Sequence, residues 1–286
     1  MTQILIRQAR QDEFAVALDW AAMEGWNPGL DDLAAFYRTD PGGFLMGWKD
    51  GAPVSSISVV RYGPAHGFLG FYIVHPAWRG SGIGMATWHA GMAHLEGRIT
   101  GLDGVLEQQL NYARSGFDFA GRNIRFTGVP LHRAMPEHGI RIRSAMRRDL
   151  DDILIYQKPF FPADRDDFIA RWTVLSGAAS RHTKLAFSER RMIGFGTIRN
   201  CRSGCKIGPL FAEDKAVAAA LFTALCDTVE REEEISLDVP EGNLAAIEMA
   251  ENFALAPVFQ TARMWKGEKP DSGTGRTFGV STFELG

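Results

Sequence analysis

An α/β protein made of two copies of one fold is what the 286-residue sequence predicts. Three observations lead there. Stretches of the first half recur in the second at a nearly constant shift, each half alternates strand-like and helix-like segments in one order, and the composition, 45% hydrophobic and 23% charged, is that of a globular chain. "IRQARQDEF" from Ile6 lies over "IRSAMRRDL" from Ile142, a shift of 136. "VRYGPAHGFLG" from Val60 lies over "IRNCRSGCKIG" from Ile198, a shift of 138, and "GFDFAGRNIRF" from Gly116 lies more loosely over "ALAPVFQTARM" from Ala254 at the same shift.

Each half opens on an alternating strand ("ILIRQA"; "IRIRSA"), followed by helical segments such as "DDLAAFYR" and "RDDFIARW". Paired strands around Gly/Asp turns come next: "GFLMGWKDGAPVSSISVVR" and "KLAFSERRMIGFGTIRN". A buried strand follows ("FLGFYIV"; "IGPLFA"), then a helix, a strand, a last helix and a closing strand pair ending in "NIRFTG" or "TARMWKG". Pro130, Pro136 and Gly139 punctuate "GVPLHRAMPEHG" and divide the chain into residues 1–133 and 137–286.

A net charge of −3 gives no global electrostatic reason to expect nucleic acid or an anionic membrane as partner. The basic "RIRSAMRR", with Arg141, Arg143, Arg147 and Arg148, runs into Asp149, Asp151 and Asp152, the pattern of a solvated, mixed-charge helix start. Cys201, Cys205 and Cys226 are too few for a disulfide framework, and their odd number points to a reducing compartment. Cys201 and Cys205 flank a turn-like "RSG" with no nearby ligand to complete a metal site. The N-terminus has charges where a signal peptide needs an apolar stretch, and "AVAAALFTALC" from Ala216 is far short of a membrane span. A cytoplasmic protein without a metal is expected.

The stretch "YIVHPAWRGSGIGMATW" from Tyr72 puts three glycines between a strand ended by Pro76 and a helix beginning after Ser81. A helix start offers free N–H groups and the positive end of the dipole to an anion. Gly80, Gly82 and Gly84 let phosphate oxygens approach the backbone, and Arg79 adds a charge. The physical reading is a pyrophosphate cradle; glycines serving only tight strand–helix packing are the alternative. A Walker loop lacks its lysine here. A dinucleotide fingerprint fails at Met85 counted from Gly80 and at Thr87 counted from Gly82, although Asp103 lies where a ribose carboxylate would be sought.

Residue by residue, Val74-His75-Pro76 followed by Arg79, Gly82 and Gly84 resembles the acetyl-CoA signature of the GNAT acetyltransferase superfamily. "NYARSGFDFAGRNIRF" is similar to its later Y-x-x-x-G-F segment, with Tyr112, Gly116 and Phe117 in the matching places. "EGWNPGLDD", "ARMWKG" and the terminal "FGVSTFELG" look like a bacterial two-domain branch, so the resemblance covers nearly the whole chain. It implies tandem GNAT-like domains, each a mixed, mostly antiparallel sheet flanked by helices, with acetyl-CoA entering between two diverging strands. Backbone near Ile73 and Val74 would then hold the pantetheine arm. Arg79, Gly80, Ser81, Gly82, Ile83 and Gly84 would hold the pyrophosphate. The implied chemistry is direct attack of a primary amine, carried by a small molecule or a peptide, on the thioester.

That chemistry needs a base for the charged amine, an oxyanion donor and a proton for the thiolate. The resemblance implies Tyr112 as the proton donor; Glu24 is the candidate base, with Trp26 and Asn27 framing the amine, and the Val74 amide is the candidate oxyanion donor. An exposed loop carboxylate is the plainer reading of Glu24, and Asp31 and Asp32 read as helix caps. His89 and His94 are five residues apart and share no ligand face. Where the superfamily often carries an Asn before the tyrosine, Val105 stands, with Gln108 and Gln109 as the neighbouring amides. In the second half Val217, Ala220 and Ala250 replace Arg79, Gly82 and Tyr112, so the N-terminal half is expected to be catalytic and the C-terminal half to pack on it and shape the acceptor pocket through the "FGVSTFELG" segment. The rival function is a non-catalytic acyl-CoA binding or sensing module.

Overall fold

The computed structural model describes residues 4–131, 139–271 and 274–286. The expected ends of the two halves, residues 133 and 137, lie outside the described residues. The first half runs β1 (Leu5–Gln8), α1 (Gln11–Met23), α2 (Asp32–Thr39), β2 (Phe44–Lys49), β3 (Ala52–Tyr62), β4 (His66–Val74), α3 (Ile83–His94), β5 (Ile99–Val105), α4 (Gln109–Arg114) and β6 (Asp118–Gly128). The second repeats that order: β7 (Ile140–Ser144), α5 (Leu150–Gln157), α6 (Asp166–Trp172), β8 (Arg181–Ser188), β9 (Arg191–Asn200), β10 (Cys205–Ala212), α7 (Lys215–Cys226), β11 (Ile235–Pro240), α8 (Leu244–Asn252) and β12 (Ala256–Lys266). A last strand, β13 (Thr277–Gly279), follows.

The strands form one sheet in the order β1-β2-β3-β4-β5-β12-β6-β11-β10-β9-β8-β7, with β13 paired to β10. β4 runs parallel to β5 and β10 to β11; the other pairs are antiparallel. The closing strands have changed places. β12 of the second half pairs with β5, β6 of the first pairs with β11, and the two meet each other at the centre. Each exchanged strand carries an arginine bound to an aspartate directly across the ladder. Arg263 on β12 donates to Asp103 through Nε (2.8 Å) and Nη2 (2.6 Å). Arg125 on β6 donates to Asp238 through Nε (2.6 Å) and Nη2 (2.9 Å). These bidentate pairs fix register as well as neighbour.

Helices α2 and α6 press the halves together on one face of the sheet. Phe36 of α2 stacks on Trp172 of α6 with ring centroids 5.4 Å apart, in a core that also takes Phe14, Phe68 and Phe195. The carboxylate of Asp32, only 1% exposed, accepts from the Gly29 amide at 2.9 Å, from Arg181 at 2.8 Å and from Arg199 at 3.1 Å. The expectation that Asp31 and Asp32 cap α2 is corrected here. Neither side chain caps it; Asp31 accepts from the Ser180 hydroxyl, and Asp32 is drawn inward by the two arginines. The basic stretch also differs from a plain helix start. Arg141 and Arg143 lie on β7 with guanidinium carbons 4.9 and 4.8 Å from the Phe187 ring centroid, and Arg143 pairs with Asp149 at 2.6 Å. Among the described residues no helix is long and apolar enough to cross a membrane.

Burial raises the Asp32 pKa, but Arg199 and then Arg181 outweigh it and hold the carboxyl below its ordinary range. Its stabilising effect is therefore complete above about pH 4, the unfolded-state value, and is lost as pH falls through the lower folded-state value. Asp32→Ala, which strands two buried arginines, is expected to destabilise the fold by about 3–5 kcal/mol at pH 7. Denaturant melts should find that penalty shrinking in acid.

Candidate functional site

β4 and β5 pair in parallel only from His66 to Leu69 against Ile99 to Leu102. Beyond that point Phe71 takes a left-handed φ of 46°, and the β3–β4 register shifts between Ser56 and Ser58. This is a bulge, and it turns β4 away from β5. A cavity of about 610 Å³ opens between Gly70–Val74 on one side and Asp103–Val105 on the other. Arg79 and Gly80 close one end, with Tyr112 in the wall. The second half completes the lining with Phe259 and Thr261 of β12 and with Phe283 and Glu284 of the terminal segment.

The glycine turn divides the two readings of its glycines. Gly80 and Gly82 have φ of 76° and 85°, and a Cβ at either would meet nothing within 4 Å. They supply the left-handed backbone and leave the space outside it open. Gly82 is the N-cap of α3, so the amides from Gly82 to Met85 lack carbonyl partners one turn back. At Gly84 a Cβ would lie 3.0 Å from the Tyr72 hydroxyl and 3.1 Å from Val74 Cγ2, so this glycine serves close helix–strand packing. Ser81 donates to the Trp78 carbonyl at 2.5 Å, and Ile83 is buried. Ser81 and Ile83 belong to the turn but not to the cavity lining, whereas Ile73 and Val74 line it.

Arg79 donates through Nε to the Val74 carbonyl at 3.1 Å and forms an ion pair with Glu24. Glu24 and Trp26 line the cavity. Asn27 is not among its lining residues; its side-chain amide donates to the Ser203 carbonyl at 2.7 Å, and its Oδ1 accepts from the Ser203 amide at 3.2 Å. The expected substrate contact of Asn27 is thus corrected: its left-handed φ of 49° aims it at the β9–β10 turn. The Trp26 carbonyl accepts from Arg125 at 2.9 Å and from buried Lys206 at 3.2 Å, which ties the loop to the second half.

Tyr112 is 7% exposed and stacks on Trp88 at 5.7 Å. Burial, with Tyr72 nearby, raises its pKa, so the hydroxyl keeps its proton at neutral pH. Gly104 makes room for it, because a Cβ there would overlap the Tyr112 ring. Gln108, Asn111 and Met85 are further lining residues; Gln108 accepts from Asn111 at 2.7 Å, while Gln109 is not part of the lining. Asp103, weighed in the sequence only as a ribose ligand, lines the cavity with its carboxylate held by Arg263 and by Asn123 at 2.7 Å. Gly70, Phe71, Gly104, Phe259 and Thr261 were absent from the expected site, and Phe283 and Glu284 were not singled out within the terminal segment expected to shape the acceptor pocket.

The equivalent place in the second half is filled from within. β10 and β11 pair from Cys205 to Ile207 against Ile235 to Leu237. There β13 enters, with Gly279 opposite Leu210 and the Val280 amide donating to the Asp238 carbonyl at 2.9 Å. The helix start beside it is capped by Asp214, whose carboxylate accepts from Val217 N at 2.9 Å and would repel an anion.

Family models agree with the duplication. Residues 6–117 match a model described as Acetyltransferase (GNAT) family, and residues 153–279 match an Acetyltransferase (GNAT) domain. The chain is 29% identical over 280 residues to holothin acyltransferase of Pseudoalteromonas sp. (strain SANK 73390), covering 98% of this chain and 94% of that one. In fold it is similar to a Pyrococcus horikoshii protein provisionally designated an acetyltransferase, with a TM-score of 0.79, 21% identity, and 99% and 96% of the two chains covered. It is also similar to a tandem GNAT protein from the clavulanic acid biosynthesis pathway, with a TM-score of 0.63, 13% identity, and 94% and 100% covered.

Gly104→Ala is expected to destabilise the protein by about 1–3 kcal/mol, the range for overpacking a filled site. Thermal melts read the loss, and quenching or shift of Trp88 fluorescence would register displacement of the Tyr112 ring stacked on it.

Proposed function

The chain belongs to the GNAT acetyltransferase superfamily, and from that premise we propose that it is an acetyl-CoA-dependent N-acetyltransferase whose acceptor is a small primary amine. The observation that carries the reading is the open first-half cavity. Its splayed strands leave the β5-facing side of β4 unpaired beyond Leu69, and the bare, left-handed turn at Gly80 and Gly82 stands at one end. Those glycines, which a Cβ would leave without a clash but without the conformation, suit a pyrophosphate held on amides. Ile73 and Val74 would hold the pantetheine arm as an added strand would be held, and the bound donor would supply an activated thioester acyl group.

Distance along β4 assigns the parts. Gly70 and Phe71 lie at the far end of the cavity from the glycine turn, so the acyl group belongs beside the bulge. The backbone amides at the Phe71 bulge would then lie nearer than that of Val74 to the developing oxyanion. Tyr112, neutral through burial, would give its proton to the departing sulfur. Glu24, bound to Arg79, stands at the phosphate end. There it would open or close the cradle, since a phosphate and Glu24 compete for one guanidinium. Trp26, Phe259 and Phe283 wall the other end and favour an amine with an apolar or aromatic body.

Calorimetric titration with acetyl-CoA is the first test. One site per chain is expected, abolished in Gly82→Trp, and two sites would overturn the reading of the second cleft as closed. Tyr112→Phe should lower turnover by about a hundredfold with donor affinity nearly unchanged. Saturable binding without acetylation of any amine would instead favour the non-catalytic acyl-CoA binding module.

A further inference from the structure

Three carboxylates line the cavity: Glu24, Asp103 and Glu284. Two are committed to cations. Glu24 is paired with Arg79, and Asp103 is gripped by both Arg263 nitrogens and by Asn123. Glu284 differs from both. It is 5% exposed, yet it has no ion pair among the described residues. Its carboxylate accepts from the Thr282 hydroxyl, whose oxygen in turn accepts from the Glu284 amide at 3.1 Å. Arg125 and Arg199 act on it only through space. A buried carboxylate with so little compensation is costly to keep, which makes it a candidate for function.

Its placement is built from several directions. The Glu284 backbone lies directly on Gly70, where a Cβ would collide with its carbonyl and Cα. The next residue is held by the Tyr62 hydroxyl, which donates to the Leu285 carbonyl at 2.9 Å, and the one after by Arg165, which donates to the Gly286 carbonyl at 2.8 Å. Upstream, Phe283 lies under the Arg125 guanidinium, 5.0 Å from its carbon to the ring centroid, and 6.4 Å from Phe259. The terminal segment therefore brings Glu284, without an ion pair among the described residues, into the cavity lining with its backbone against Gly70.

We propose that Glu284, carried by the second half, is the carboxylate that receives the acceptor amine in the first-half site and takes its proton. This rests on the acetyl-transfer reading above. The acceptor enters as an ammonium and gives one proton to Glu284. The neutral nitrogen forms the C–N bond to the acyl carbon as the C–S bond breaks. The sulfur leaves with the Tyr112 proton, the second nitrogen proton restores that hydroxyl, and the proton on Glu284 passes to solvent. One ammonium and one thioester thus give one amide, one thiol and one released proton. Glu24, at the phosphate end and tied to Arg79, is relieved of the role that its loop suggested.

The test compares wild type with Glu284→Gln on 2-phenylethylamine, charged at pH 7, and aniline, already neutral there, with acetyl-CoA as donor. Glu284→Gln should keep acetyl-CoA affinity within about twofold, lose about a hundredfold in turnover of 2-phenylethylamine, and lose less than about tenfold with aniline. Calorimetric affinity of the CoA-loaded protein for 2-phenylethylamine should fall about tenfold, as for loss of a charged hydrogen bond. Equal losses on both amines, or none, overturn the assignment. So does a wild type that binds acetyl-CoA and acetylates neither amine. Absence of acetyl-CoA binding in the wild type overturns the acetyl-transfer reading instead. Should the Gln variant not fold, Glu284→Asp, which keeps the charge one methylene shorter, must show the same selective loss.

Discussion

Everything else in this molecule depends on the crossed pairing of β12 with β5 and of β6 with β11. A strand left without a neighbour presents a row of unpaired amides and carbonyls, and each half would have such an edge if its closing strand were taken away. Here each edge is covered by the other half, and the pairing is locked by two cross-strand ion pairs, the part-buried Arg263–Asp103 and the buried Arg125–Asp238. The halves are consequently parts of one sheet, not two bodies in contact. The wall of the first cleft facing β4 joins Asp103–Val105 of β5 to Phe259, Thr261, Phe283 and Glu284 of the second half.

From nearly the same plan the two clefts reach opposite states. In the first, the bulge at Phe71 parts β4 from β5, and the helix start carries only glycine. In the second, the same parting of β10 from β11 is occupied by β13, and the helix start carries the carboxylate of Asp214. The residues that close one cleft also furnish the other. After β13 the chain continues through Phe283 and Glu284 into the first cavity. A single ten-residue stretch thus links the closing of one site to the completion of its neighbour.

The sequence showed the repeated units, their element order, the glycine turn and Tyr112, because each is written locally: periodicity, a proline after a strand, glycines before a helix. It misread what depends on partners far along the chain. Asp32 reads as a cap until Arg181 and Arg199 arrive from 149 and 167 residues away. Asn27 reads as a pocket residue until Ser203 takes its amide. Glu24 reads as a candidate base or a free loop carboxylate, and nothing nearby in sequence announces its ion pair with Arg79. Gly104 and Gly70 gave no signal of their own, since their lack of a side chain matters only where the Tyr112 ring and the terminal segment come to rest.

By itself, then, the sequence determined that the chain is duplicated, that one half carries a bare glycine turn before its helix which the other lacks, and which tyrosine stands near it. Backbone conformation and helix starts are set by a few neighbouring residues, so they can be read from them. Only the tertiary structure decided that the closing strands are exchanged, that the second cleft is filled by the chain itself, and that Glu284 stands in the first. Those outcomes turn on which buried strand edge and which buried charge finds which partner. That choice is made by packing and desolvation across more than a hundred residues, and no local pattern encodes it.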